Sequence, residues 1–423
     1  MFGTRIWWTI AWRNLWRHPR RTLITAAALA FGYAASVLMI GISQGVVEEM
    51  VESGTLVFSS HIQVQDPDYR AEHSLYETLG GRDGVDVADL LRTIDGTPGV
   101  VAAAPRVYGG GLASAGEETI AGFLVGIDPD REREATRLLE ALVEGTLPRA
   151  GAAEVLLGTE AARQLGVGPG SELVLVAPAA DGSLGNDLYT VSGVFRTGLA
   201  GLDAAYILLR VEDAQRLLAL DPDRIHEVAV RTAGAWAAPD VARSLSGLSL
   251  PGSDSDAGVD AVPWTDFRAE LREYALLAES GNAIILVIVF GMAVFGVANT
   301  MLMATAERRR EFAVVRALGT KPGNVAGTVL REGLVLGVVS LAVGLAVALP
   351  LSFWWAAHPP NLARWFGDFT MAGSLVEPIL RVKVTPTGPV LSGIALLLTA
   401  LLASVYPAFR SGRVPPADAL ADR

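Results

Sequence analysis

Cysteine is absent from the 423 residues. That excludes disulfides, thiolate metal sites and cysteine nucleophiles. It also removes the residue that lipid attachment at an N-terminus needs, so the chain is not expected to be a lipoprotein itself. Lysine is almost as scarce. Lys321 is followed by Pro322 and Lys383 by Val384, so neither completes the GxxxxGK[ST] loop that cradles nucleotide phosphates. ATP binding of the usual transporter kind has to come from another chain. The histidines, His18, His61, His73, His226 and His358, show no metal spacing of the HExxH type. No GxSxG elbow is present. They read as surface or strand residues, and neither a catalytic nor a metal site is expected: the chain does not look like an enzyme.

What the chain has in abundance is long apolar runs. Hydrophobic residues make up 51% of it, and the mean hydropathy is +0.38. The apolarity collects in four segments: Thr22 to about Val47, Gly281–Ala306, Gly333–Ala357 and Pro389–Phe409. Each is long enough to cross a hydrocarbon core of ~30 Å as a helix. Four buried core helices of this kind would need a very large soluble core. A cleaved signal peptide is the other reading of the first run, but that run exceeds an h-region and follows a long basic segment.

Arginine sets the expected orientation. Residues 1–21 carry Arg5, Arg13, Arg17, Arg20 and Arg21 and no acid. The 307–332 loop carries Arg308, Arg309, Arg310, Arg316, Lys321 and Arg331, and the tail carries Arg410, Arg413 and Arg423. All three should be cytoplasmic, which agrees with four crossings. The long 48–280 segment then lies outside. It holds 38 acids against 17 arginines and no lysine, a net charge of −21. That balance argues against nucleic acid as a partner. It suits basic soluble partners, or simply solubility.

Within 4–18, Trp8, Trp12 and Trp16 recur every four residues, as an amphipathic helix on a membrane surface requires. The arginines around them can reach lipid headgroups, and Pro19 suits the first turn of the next helix. The 48–280 segment reads as mixed α/β. Strands are expected at 61–65, 121–127, 153–157, 172–177, 189–194 and 205–209, and helices at 159–165 and 211–220. Residues 233–263, rich in Gly, Ala, Ser, Asp and Pro, are expected to hold a weakly ordered loop. Trp264–Glu279 reads as a helical stalk running into the second membrane helix.

The most informative stretch is Glu307-Arg308-Arg309-Arg310-Glu311-Phe312-Ala313-Val314-Val315-Arg316-Ala317-Leu318-Gly319-Thr320-Lys321. Phe312, Val315 and Leu318/Gly319 are expected on one helical face. Gly319 can end the helix, and Pro322-Gly323 prevents its continuation. Its apolar face needs a cover, either the bilayer surface or a cytoplasmic protein. In the membrane runs, Gly333/Gly337 and Ser340/Gly344 form small-xxx-small pairs. Asn299 is a polar group in the second run that should face protein or cargo. Simple helix packing is the plainer reading of each.

The 307–321 stretch resembles the signature of permeases in the MacB/FtsX superfamily of ABC transporters. Trp12-Arg13-Asn14-Leu15 with Pro19-Arg20-Arg21-Thr22 resembles that family's N-terminal motif. Pro407-Ala408-Phe409-Arg410 with Pro416-Ala417-Asp418-Ala419-Leu420 resembles its C-terminal ending, with Gly412 a minor departure. Leu124–Pro129, Glu154–Gly158, Leu165-Gly166-Val167, Val191–Phe195 and Asp213-Ala214-Gln215 resemble the LolC/LolE lipoprotein-releasing branch.

The resemblance implies an α-helical membrane protein with four transmembrane helices and a mixed α/β periplasmic domain inserted between helices 1 and 2. The implied divisions are an interfacial helix in 1–21, membrane helices in 22–47, 281–306, 333–357 and 389–409, the periplasmic domain with its stalk in 48–280, a coupling loop in 307–332, a periplasmic loop in 358–388 and a cytoplasmic tail in 410–423. It implies a bacterial inner-membrane permease that releases lipoproteins toward a periplasmic carrier. Two ABC ATPase subunits would hold the ATP and Mg, and the dimer partner would be a copy or a paralogue. Arg310, Glu311, Val315, Arg316, Ala317, Leu318 and Gly319 would meet the ATPase. Asn299, Gly333, Gly337 and Gly344 would line a helix or cargo interface, and the three tryptophans would anchor the chain in lipid. The same superfamily includes mechanotransmission permeases, which drive a periplasmic partner such as an efflux channel or a cell-wall hydrolase and move nothing out of the bilayer. A membrane-anchored binding or signalling protein without an ATPase is the third reading.

Overall fold

A computed structural model of the chain describes residues 2–69, 74–81, 86–246, 259–361, 369–371, 374–376 and 379–415. The chain forms two compact units, one of Met1–Val47, Ala275–Trp365 and Ile379–Arg423, the other of Glu48–Tyr274 and Phe366–Pro378.

The chain opens with two helices, α1 (Phe2–Leu15) and α2 (Pro19–Leu56). Pro19 takes the first position of α2, where its missing N–H would have no partner anyway and its fixed φ suits a helix.

The α/β unit follows, in the order β1 (Ile62–Gln65), α3 (Val87–Asp95), β2 (Val100–Ala115), β3 (Glu118–Ile127), α4 (Pro129–Ala135), β4 (Leu142–Gly145), β5 (Glu154–Gly158), α5 (Thr159–Leu165), β6 (Glu172–Pro178), β7 (Leu184–Phe195), α6 (Ala200–Ala205), β8 (Tyr206–Arg210), α7 (Val211–Leu217), β9 (Glu227–Thr232), α8 (Ala238–Ser246), β10 (Asp260–Pro263) and α9 (Trp264–Phe267). The strands form one sheet in the order β10-β1-β9-β2-β3-β8-β5-β7-β4, and β6 pairs with both β2 and β7. That double pairing closes β2, β3, β8, β5, β7 and β6 into a ring. The β3/β8 and β5/β7 pairs are parallel; the others are antiparallel. In β6, Leu173, Leu175 and Ala177 are buried while their neighbours face outward, the period of a half-buried strand.

Four more helices complete the other unit: α10 (Ala269–Glu307), α11 (Arg309–Ala317), α12 (Pro322–Ala357) and α13 (Thr387–Gly412). Helices α2, α10, α12 and α13 are long and apolar enough to cross a membrane. Small residues let α12 and α13 approach closely. A Cβ on Gly333 would lie 1.8 Å from Ser404 Oγ, and one on Gly337 would lie 2.9 Å from the Ala400 Cβ. Tyr33 of α2 occupies the space over Gly344, at 2.7 Å from where a Cβ would stand. By contrast, only 11% of the apolar window of α10 is buried within the chain.

The structure refines three expectations. The 233–263 segment is not a loop throughout: α8 and β10 lie within it, and 247–258 falls outside the described residues. Ala238, Val241, Ala242 and Leu245 bury one face of α8, but alanine supplies so little hydropathy that the stripe is faint in sequence. Trp264–Glu279 is helical and from Ala269 runs without a break into the second membrane helix, but it is interrupted once. Arg268 leaves helical geometry and donates from Nη1 to the Gly54 carbonyl at 2.9 Å, separating α9 from α10. The 307–332 loop is mostly helix, since Pro322 starts α12.

Candidate functional site

The short helix α11 ends as the sequence anticipates. Gly319 adopts φ +92°, a region glycine enters without steric cost. The Thr320 N–H donates to the Val315 carbonyl at 3.3 Å and the Gly319 N–H to the Arg316 carbonyl at 3.0 Å, the paired bonds of a Schellman cap. The apolar stripe, however, is divided. Phe312 packs into the helical core and Ala313 against Val414, both buried. Val315 and Ala317 face outward, and Leu318 is 82% exposed. The stripe is therefore covered only in part: α11 is gripped by its own chain on the Phe312/Ala313 side and presents Val314, Val315 and Leu318 on the other. Arg316 is half-buried, with Nη1 donating to the Val414 carbonyl. That bond ties it to its own tail. Arg309 and Arg310 are exposed and make no ion pair among the described residues.

A polar network fixes this helix. Arg308 Nη1 donates to both carboxylate oxygens of Glu332 on α12, at 2.9 and 3.0 Å. Asn14 of α1 donates to Glu332 Oε1 at 2.6 Å. Just past α1, Arg17 Nη1 donates to Glu311 at 2.8 and 2.9 Å. Arg21 of α2 pairs with Glu307 at 3.2 Å. Partial burial works against ionisation of Glu311, yet hydrogen bonds and charges from Arg17 and Arg308 hold its carboxyl below the ordinary value. Glu332 is buried, so its charge is tolerable only because Arg308 and Asn14 satisfy it. The N-terminal motif thus holds α11 against α12. Asn14 and Arg17 lie in or beside that motif, but Glu332, at the edge of an apolar run, gave no sequence signal.

Gly333, Gly337 and Gly344 are taken up by packing within the chain. Asn299 is exposed on α10. Trp8 and Trp12 of α1 and Trp16 just past its end are all exposed, with the last two rings edge-to-face at 5.9 Å. The tail residues Pro416–Leu420 lie outside the described residues.

The α/β unit carries a second feature that sequence reading missed, a cavity of about 520 Å³. Its floor follows from strand register. Gln65 of β1 stands opposite Glu227 of β9, and Glu227 opposite Arg106 of β2. All three side chains therefore share one face. Arg106 is fully buried: Nη2 and Nε donate to Glu132 at 2.6 and 3.1 Å, and Nη1 lies 3.6 Å from Glu227. The Tyr108 hydroxyl donates to Glu227 Oε1 at 3.0 Å. Burial pushes the Glu227 carboxyl up to about 7, despite Arg106 and Tyr108. Burial pushes His226 down to about 4, with the Arg224 charge adding to it. The neutral Nε2–H tautomer fits its partners. Nδ1 accepts the Tyr108 N–H at 3.0 Å, and Nε2 donates to the Leu75 carbonyl at 3.3 Å. Phe58, Tyr69, Phe123 and Tyr206 supply aromatic walls.

The sequence matches two families, MacB-like periplasmic core domain over residues 22–248 and FtsX-like permease C-terminal over residues 283–416. The lipoprotein-releasing system transmembrane protein LolC of Xylella fastidiosa is 26% identical over 413 residues, covering 93% of this chain and 94% of that one. LolC of Neisseria meningitidis is 23% identical over 413 residues, covering 94% and 93%. The lipoprotein-releasing system transmembrane protein LolE of Haemophilus influenzae is 24% identical over 271 residues, covering 63% and 64%.

Proposed function

This chain belongs to the MacB/FtsX superfamily of ABC-transporter permeases, beside LolC and LolE, and from that premise we propose that it releases lipoproteins from a bacterial inner membrane toward a soluble carrier. The observation that carries this reading is similarity to LolC along both halves, 93% of the chain, rather than along the permease half alone. ATP and Mg belong to a separate ATPase subunit, two copies per complex, and a second permease chain, identical or paralogous, completes the dimer. The termini and α11 face the cytoplasm, and the α/β unit faces the periplasm.

In this reading α11 is the coupling helix. Its exposed Val314, Val315 and Leu318 insert into the ATPase, where burying such side chains yields roughly 1.5–3 kcal/mol each. Glu311, Arg308 and Glu332 tie α11 to α1 and α12, so displacement of its tip moves packed helices as a body. The largely unburied α10, with Asn299, faces the partner permease or the acylated cargo.

The test uses inner-membrane vesicles holding the assembled complex and radiolabelled, palmitoylated lipoproteins. ATP plus a soluble carrier should move label into the supernatant, and the vesicles lacking this chain should keep it. ATP hydrolysis with no release of label overturns the reading and favours mechanotransmission to a periplasmic partner.

A further inference from the structure

The cavity in the α/β unit has a charge imbalance that no other described residue corrects. Two carboxylates, Glu132 and Glu227, share one guanidinium, Arg106. Glu132 takes the bidentate contact, with Thr136 as a further donor. Glu227 keeps only a 3.6 Å approach to Arg106 and the Tyr108 hydroxyl. It is 3% exposed, and what exposure it has is to the cavity. Beside it Gln65, 4% exposed, also lines the cavity, and its amide makes no hydrogen bond among the described residues. A buried carboxylate and a buried amide both directed into an aromatic-walled space are costly unless something completes them.

We propose that this cavity binds an organic cation, a small ammonium-bearing molecule whose charge sits against Glu227 and whose apolar body packs on the surrounding aromatic rings. Aromatic faces are electron-rich and attract cations that have left water. The volume, about 520 Å³, suits a small molecule. Gln65 offers a carbonyl to an N–H donor or orients a polar substituent. Among the described residues, the groups facing Glu227 are Arg106 and Tyr108 on β2, Tyr69 beyond β1, Glu132 on α4, Tyr206 on β8 and the adjacent His226. The tyrosines are pushed upward by burial, and His226 is uncharged above about pH 5. Among the described residues lining the cavity, Glu227 is thus the group that changes charge near neutrality. With its carboxyl near 7, about a tenth is ionised at pH 6 and nine-tenths at pH 8. A permanent cation should therefore bind about tenfold more tightly at pH 8 than at pH 6. The proposal does not depend on lipoprotein release.

The experiment is calorimetric titration of the full chain, in a non-ionic detergent, with benzyltrimethylammonium, whose charge is independent of pH. Phenylacetate and benzyl alcohol are the anionic and neutral controls. The expected result is saturable binding of the cation alone, tightening about tenfold from pH 6 to 8. Glu227→Gln should weaken it by about tenfold or more and abolish the pH dependence. Phe123→Ala, at the rim where the ring is 58% exposed, should weaken it roughly fivefold without touching the buried network. No saturable binding of the cation, equal binding of either control, or unchanged affinity in both variants would overturn the proposal.

Discussion

Glu227 and His226 are neighbours in sequence that should pull the stability of the α/β unit in opposite directions with pH. Glu227 titrates near 7 when folded, against an ordinary 4.5. The folded state holds its proton more tightly, so this contribution is complete below about 4.5 and fades as the pH rises through 7. His226 titrates near 4 when folded, against an ordinary 6.5. The folded state binds its proton less tightly, so this contribution is complete above about 6.5 and fades as the pH falls through 4. At 1.36 kcal/mol per pH unit each gap is worth roughly 3 kcal/mol. Between 4.5 and 6.5 the two slopes cancel. Glu227→Gln keeps an acceptor for Tyr108 and removes the acid's contribution: the difference in thermal midpoint from the unaltered chain should climb from pH 4.5 to 7. His226→Gln should do the reverse, with a difference that falls from pH 4 to 6.5. For a unit of this size 3 kcal/mol corresponds to roughly 6–12 °C. Tryptophan fluorescence reads the transition, because Trp236 and Trp264 lie edge-to-face at 5.2 Å inside this unit. Differences from the unaltered chain that do not vary with pH in either variant would refute the argument.

Three further outcomes follow from the helical unit. Leu318→Asp removes an exposed contact and should weaken ATPase docking by roughly 10- to 100-fold. The isolated chain's thermal midpoint should not move, because Leu318 supports nothing within it; normal ATP-driven release by this variant would remove α11 as the coupling helix. Arg308→Ala strands the buried Glu332 carboxylate and should cost about 3–5 kcal/mol; the double variant Arg308→Ala with Glu332→Gln should recover most of that by thermal denaturation. Gly333→Val drives a side chain into Ser404, whose Oγ lies 1.8 Å from the Cβ position, and should lower stability by about 1–3 kcal/mol. A circular-dichroism melt checks it.

The four apolar helices were legible because hydropathy over twenty residues needs no tertiary context. So was the end of α11, since Gly319 and Pro322 act locally. The face of α11 was not. Periodicity says which residues share a stripe, not where a neighbouring helix or tail will cover it, and here cover reaches Phe312 and Ala313 but stops short of Leu318. Strand β2 was missed for a similar reason. Its Ala102–Pro105 and Gly109–Gly111 stretches carry no strand propensity, yet close approach selects them: a Cβ on Gly111 would lie 2.6 Å from the Val176 carbonyl oxygen. The cavity was hidden most completely. Gln65, Arg106 and Glu227 come from three strands far apart in the chain, and only their register makes them neighbours.

The most direct test of lipoprotein release is to purify the tagged full chain in mild detergent and identify by mass spectrometry what accompanies it. The account predicts an ABC ATPase together with triacylated proteins. An ATPase accompanied only by unacylated periplasmic proteins, or no ATPase at all, would contradict it.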